Sequence, residues 1–388
     1  MLKQPSPVGN ILAGSWRAEP GQLSAPLDLR PESVSVLAST GAGALAWNQI
    51  SRDPSLRSAD GAGELRDYAR LQALNAARNE MALKDLARLL NCNNVNALLF
   101  KGWSVARHYS KPRLRPMGDV DLCALPGRFN DLVDVLHRYG FRQYASTDKA
   151  NRGRGMCFAT PFGWPGKALA IDLHEKLGRF FLSPLEDVCA RAVPLLVGDC
   201  SFLTLSAEDH LRLVTIHFLL DGGWRPLWLC DVSAMLETLP PAFDWDLCLG
   251  PEPRRRRWVA CTLQLAHELL GANLDRVPEC YRVDQVPGWL RATVLREWKK
   301  PFSEHHVRPL IGYTWRHRRS ELVREVLARW PNAIRSTAEL DADFSSLPRL
   351  PYQLALFARR IGYGVFREVR SVTQAGGGYR LYRLPKAK

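Results

Sequence analysis

LLFKGWSVARHYSKPRLRPMGDVDL, residues Leu98 to Leu122, reads as a strand, a glycine turn, a short helix, a basic proline-containing loop and a second strand that carries two acids. Side chains alternate along a strand, so Asp119 and Asp121 face one side while Val120 and Leu122 face the other. Two like charges side by side repel. The arrangement is tolerable if a cation sits between them or if one acid keeps its proton. A hard, oxygen-binding ion such as Mg2+ suits carboxylate ligands. The Asp-x-Asp pattern alone says little, because it recurs at Asp244–Asp246 and Asp341–Asp343. Asp244 follows Pro240-Pro241, where an acid opening a helix is ordinary, and Asp341 lies in a polar stretch. Only Asp119 and Asp121 sit in an apolar strand pattern, after a glycine turn and the cations Lys111, Arg113 and Arg115.

A third acid occupies a similar setting. Ala168-Leu-Ala-Ile-Asp-Leu-His174 is a short apolar, strand-like run with Asp172 inside it. Ile171 and Leu173 point to one side, Asp172 and His174 to the other. An unpaired acid in such a strand is costly. If this strand lies beside the Asp119 strand, three carboxylates converge.

At this point the chain resembles the minimal nucleotidyltransferase family of the DNA polymerase β superfamily. The resemblance is carried by Lys101-Gly102, Tyr109, Pro112, Arg115, Gly118-Asp-Val-Asp-Leu122 and Ile171-Asp-Leu-His174. It continues in IHFLLDGGWRPLWLCDVSAML, which ends at Leu236, and in Asp244-Trp-Asp246, and covers about residues 60 to 250. There is one departure. Superfamily members often follow the turn glycine with Gly or Ser, whereas Gly102 is followed by Trp103, with Ser104 next. The resemblance implies metal-dependent nucleotidyl transfer, in which an acceptor attacks the α-phosphorus of an NTP and pyrophosphate leaves. Two Mg2+ ions, about 3.5–4 Å apart in such sites, would be held by Asp119 and Asp121. Asp172 would hold the ion nearer the acceptor and help deprotonate that acceptor. Gly102 would let backbone approach the phosphates, and Lys101, Ser104 and Arg115 are further candidates for phosphate contacts. His174 is expected to orient Asp172 or fill the edge of the pocket.

The expected fold is α+β, a polymerase-β-like nucleotidyltransferase core made of a small mixed sheet with helices on one face, plus an all-helical domain. Residues 1–60, rich in Ser, Pro, Ala and Gly, read as a loosely ordered segment with a short helix near 45–52. Residues 61–205 form the catalytic domain with its leading helix. That helix spans 64–91 and presents Leu65, Tyr68, Leu71, Leu74, Met81, Leu86 and Leu89 for packing. Strands are expected over 96–100, 119–124, 141–145, 156–160 and 168–174, with an amphipathic helix over 128–139. A basic loop, Asn151-Arg-Gly-Arg-Gly155, reads as a solvated hairpin tip or a phosphate contact. Residues 206–340 are the helical domain, opened by a capping-box-like Ser206-Ala-Glu-Asp209, and 341–388 are a basic C-terminal tail. His210 and His217 lie seven apart on one helical face and read as packing or capping residues, as does the pair His305-His306.

The 388 residues, 46% hydrophobic and 24% charged, have the composition of a globular protein. Nine cysteines without Cys-x-x-Cys spacing argue against a zinc site or a disulfide framework and for the cytosol. No signal peptide or membrane-spanning run is evident. The net charge of +14 is concentrated late: from 291 onward, 20 Lys and Arg face 8 Asp and Glu. The basic C-terminal region suits RNA or DNA, an anionic membrane or acidic partner, or a solvated face. The partners expected are therefore an NTP, an unidentified acceptor (small molecule, peptide or protein, or RNA), and RNA or another polyanion. A reading of a different class is a non-catalytic nucleic-acid-binding protein built on a degenerate transferase fold.

Overall fold

Ala97-Leu-Leu-Phe100 (β1) and Val120-Asp-Leu-Cys-Ala124 (β2) are buried along their whole length. Strands of that kind belong in the middle of a sheet covered on both faces. The structure, a computed structural model, describes residues 6–19, 29–143, 159–166, 169–178, 180, 181, 183–300, 320, 323 and 329–360. The other strands are β3 Arg142–Gln143, β4 Ala159–Gly163, β5 Ala170–His174, β6 Val193–Val197 and β7 Cys200–Thr204. They form one mixed sheet in the order β3-β4-β5-β2-β1-β7-β6. β2 pairs antiparallel with β1 and parallel with β5, and β1 pairs parallel with β7.

The helices are α1 Pro7–Leu12, α2 Pro31–Ser39, α3 Gly43–Ile50, α4 Pro54–Arg57, α5 Ala62–Cys92, α6 Gly102–Ala106 and α7 Phe129–Arg138. They continue as α8 Leu185–Ala190, α9 Ala207–Leu220, α10 Pro226–Glu237, α11 Trp245–Leu249, α12 Pro253–Leu270, α13 Gly288–Glu297 and α14 Ala333–Glu339. Local signals set many of the ends. The Ser206 hydroxyl accepts from the Asp209 N–H to start α9. Glu252 caps α12 from the carboxylate side, Pro253 follows at its first position, and Gly271 in the left-handed region ends it.

The two sheet faces bury different partners. Leu99, Val120, Leu122, Ile171 and Leu173 pack with Leu83, Leu86 and Leu90 of α5 and Leu132 and Leu136 of α7. Leu98, Phe100 and Cys123, on the opposite face, belong to a continuous core with α9, α10 and α12. The helices after residue 206 thus close over one face of the sheet, and they do so over the face that carries Asp121 and Asp172. This corrects the expectation of helices on one face only.

The described part of residues 1–60 also differs from expectation. Val8, Ile11, Leu12 and Trp16 are buried with Val34, Leu37, Leu45 and Ile50 in that same core. The Trp16 indole N–H and the Arg17 Nε both donate to Glu237 on α10, each at 2.8 Å. Pro7, Pro31 and Pro54 open short helices, and Gly14 and Gly41 turn the chain with positive φ. The long helix appears as expected, but Leu71, Leu74 and Met81 stay exposed, because they lie away from the face of α5 that carries the buried Leu65, Gln72, Asn79 and Leu83. The hairpin β6–β7 and helix α8 were not expected. Gly198-Asp199 forms the two-residue turn of that hairpin, with Gly198 at φ +67°. The 151–155 loop, His305-His306 and the tail beyond 360 lie outside the described residues. No described helix is long and apolar enough to cross a membrane.

Candidate active site

Register brings the acids together. β2 and β5 run side by side with Asp121 paired to Asp172, and Asp119 sits one residue before β2 begins. β1, on the other side of β2, pairs Phe100 with Asp121, so Lys101 leaves its strand beside that carboxylate. Lys101 Nζ lies 3.0 Å from Asp121 Oδ1, and His174 Nε2 lies 3.4 Å from the same oxygen. His174 therefore meets Asp121 rather than Asp172, under the edge of the Phe100 ring. The Lys101 ammonium also sits over the rings of Phe100 and Phe180, 5.3 and 5.6 Å from their centroids.

The three carboxylates are electrostatically unlike. Burial alone would push Asp121 up, but Lys101 and the His174 contact outweigh it and hold that carboxyl well below the usual range. Asp119 is raised by burial and by Asp121. Asp172 is pushed up to about 6, first by burial and then by Asp119 and Asp121. Lys101, which burial would discharge, is held charged above its ordinary value by Asp121. Among the described residues no three His, Cys, Asp or Glu side chains are placed to hold a metal ion; as they stand, Asp121 is engaged by Lys101.

The turn after β1 is strained and braced. Lys101 has φ 56° and ψ −152°, a region open essentially to glycine and costing other residues about 1–3 kcal/mol. Gly102 follows at φ +37°. His210 Nε2, fully buried on α9, is 3.4 Å from the Lys101 backbone N–H, and Ser104 Oγ donates to the Lys101 carbonyl at 2.7 Å. Ser104 is itself fully buried against His210. Its role in the structure is to hold the turn, which differs from the expected phosphate contact. Arg115 differs in the same way. Its guanidinium forms a two-point pair with Asp231 on α10, at 3.1 and 2.9 Å, and Tyr109 donates to the same carboxylate at 2.6 Å. Of the four expected phosphate-contact residues, Lys101 and Gly102 stand at the acids, whereas Ser104 and Arg115 are committed to internal partners.

Opposite the acids stands a wall from α9, α10 and their connection. Gly222 and Gly223 turn the chain at φ +84° and +68°. His217 and Asp221 pair at 3.1 Å, and the His217 ring meets Trp228 edge-on at 4.5 Å and lies 6.1 Å from the ring of Phe180. Trp224 packs on Trp228, and Arg225 lies over the Trp228 ring. Burial and the charge of Lys101 push His217 down to about 4, which keeps its imidazole neutral near pH 7. His210, His217, Asp221, Asp231 and Phe180 were not singled out as site residues from the sequence. The seven-residue spacing of the two histidines was the signal available for that pair.

Residues 31–271 match the protein family described as uncharacterised nucleotidyltransferase. No curated protein matches the chain. Among solved structures, an antigenic nucleotidyltransferase-like protein from Paracoccidioides brasiliensis aligns with a TM-score of 0.36 at 15% identity, over 51% of this chain and 94% of its own.

Proposed function

The chain belongs to the uncharacterised nucleotidyltransferase family, and we propose that it transfers a nucleoside monophosphate from an NTP to an acceptor nucleophile, releasing pyrophosphate. The observation that carries the reading is the register of β2 and β5, which sets Asp172 beside Asp121 on the sheet face that the helices close over. Asp119, Asp121 and Asp172 would hold Mg2+. The donor set suits a hard cation: it is all oxygen, and burial together with the neighbouring carboxylates raises Asp119 and Asp172. Bound there, the metal supplies charge neutralisation for the triphosphate.

In the transfer itself a bond forms from the acceptor atom to the α-phosphorus while the bond from that phosphorus to the pyrophosphate oxygen breaks. The acceptor's proton passes to Asp172. The β2–β5 register sets that carboxylate beside Asp121, where the acceptor would meet it. Lys101 would turn from Asp121 to a phosphate oxygen, with Phe100 and Phe180 keeping its ammonium in place. The strained Lys101-Gly102 turn brings backbone close to the phosphates. The wall of His217, Trp224 and Trp228 would receive the acceptor, which the site chemistry leaves open among small molecules, peptides or proteins, and RNA. We place the reaction in the cytosol, because the described cysteines are free thiols.

RNA binding by the basic C-terminal region gains no support from its described part. There, Arg335 and Arg360 reach Glu339 at 2.7 and 2.8 Å, and Arg359 lies 3.7 Å from it. The transfer reaction is tested by incubating the protein with each α-32P-labelled NTP, Mg2+ and cell lysate. Label should pass to an acceptor with the wild type and not with Asp119→Asn/Asp121→Asn. Equal labelling by both proteins would reject this assignment of the site.

A further inference from the structure

Trp103, the residue that departs from the family pattern, leads to a second cleft. It does not project among the acids. It leaves the turn toward α5 and is partly buried against the core on that side. There it lines a cleft of about 640 Å3 together with Ala73, Ala76 and Ala77 of α5 and Lys111 and Arg113 of the basic loop.

The walls of this cleft are fixed. Gln72 and Asn79, seven residues apart on α5, donate to the carbonyls of Leu114 and Met117, at 3.2 and 2.7 Å. Arg115 anchors the same loop to Asp231. Between the two amide anchors the helix carries alanines, and the space they leave is what makes the cleft. Its volume is that of a small-ligand site rather than a packing defect. Its electrostatics are one-sided. Lys111 and Arg113 are exposed and pair with no acid among the described residues, and the acid on the rim, Glu80, is taken by Lys84 at 2.8 Å. An indole, an alanine-bearing side of a helix and two uncommitted cations suit a planar ring that carries an anionic group.

We propose that this cleft binds a nucleoside phosphate, with its base between Trp103 and the alanine face of α5 and its phosphate on Lys111 and Arg113. The ligand is either the NTP itself or the end of a single-stranded RNA, and both present the same chemistry. The inference rests on the nucleotidyl-transfer reading only for the identity of that ligand; binding in the cleft needs neither metal nor the acids.

The test is filter binding in EDTA, where the acid site is silent, with each α-32P-labelled NTP and with a 5′-labelled single-stranded oligoribonucleotide. The proteins are the wild type, Trp103→Ala, Trp103→Phe, Lys111→Ala/Arg113→Ala and Asp119→Asn/Asp121→Asn. At least one probe should bind the wild type and the acid double variant equally. Binding should weaken about tenfold or more in Trp103→Ala and in Lys111→Ala/Arg113→Ala, and Trp103→Phe should keep most of it. The cation variant should also show a shallower salt dependence. Binding of an NTP identifies the co-substrate as the ligand, and binding of the oligoribonucleotide alone identifies the acceptor end. No binding of any probe in EDTA overturns the proposal, as does binding that survives intact in either the Trp103→Ala or the cation variant. If Trp103→Ala fails to fold, the cation variant and Trp103→Phe decide. Failure of the transfer reaction would leave this result standing, so the two readings fail separately.

Discussion

Asp172 destabilises the fold it belongs to. Its carboxyl, raised to about 6, keeps a proton that an unfolded aspartate loses near pH 4. The folded state therefore binds more protons between those values, and stability at this position is full below about pH 4 and is lost as the pH rises through about 6. In EDTA, Asp172→Asn should melt at a higher temperature than the wild type at pH 8, and the gap should close as the pH falls toward 4; a gap that does not change with pH would contradict the assignment. Asp231 is the opposite case, a buried acid fully matched by Arg115 and Tyr109. Removing one partner of such a pair strands the other, so Asp231→Ala should lose about 3–5 kcal/mol in urea unfolding. The acids on β2 and β5 were legible in the sequence because strand alternation fixes which side a residue faces. The commitments of Ser104 and Arg115 were not, because their partners, His210 and Asp231, lie more than a hundred residues away and meet them only through tertiary packing.

Among the elements, the connection between α9 and α10 does the most to shape the wall over the acids. A Cβ on Gly222 would lie 2.3 Å from the Asn332 side chain, which donates to the Gly222 carbonyl, and the residue sits at φ +84°. Gly222→Ala should cost more than about 1 kcal/mol, read from urea unfolding, and should displace Asn332 from the start of α14. The central strands and α5 were readable because alternation and helical periodicity are local signals. Which residues of α5 would be covered was not, since Leu71 and Leu74 have the same spacing as the buried Leu83 and Leu86 but nothing packs over them. The β6–β7 hairpin was in principle readable from Gly198-Asp199 between two apolar runs. It went unread because each run is short and half exposed.

At the scale of the whole molecule, one continuous core joins the N-terminal helices, a sheet face and the helices after 206. A loose leading segment was expected from composition, but composition does not show that Ile11, Leu12 and Trp16 have a partner surface on α10 and α12. Trp16→Ala should destabilise the whole protein by about 3–5 kcal/mol, read as a lower urea midpoint, with no effect expected if the first sixty residues were loose. The shared core also holds α9 and α10 over the acids, so the sheet and the helices form one unit, on which the proposed nucleotide site depends. The most direct measurement of that claim is calorimetric titration of each NTP into the folded protein, with and without Mg2+, for the wild type and for Asp119→Asn/Asp121→Asn. At least one NTP should show a Mg2+-dependent component of binding that the double variant loses. Mg2+-dependent binding of the same strength in both proteins, or none in the wild type, would contradict the assignment of the nucleotide site to these acids.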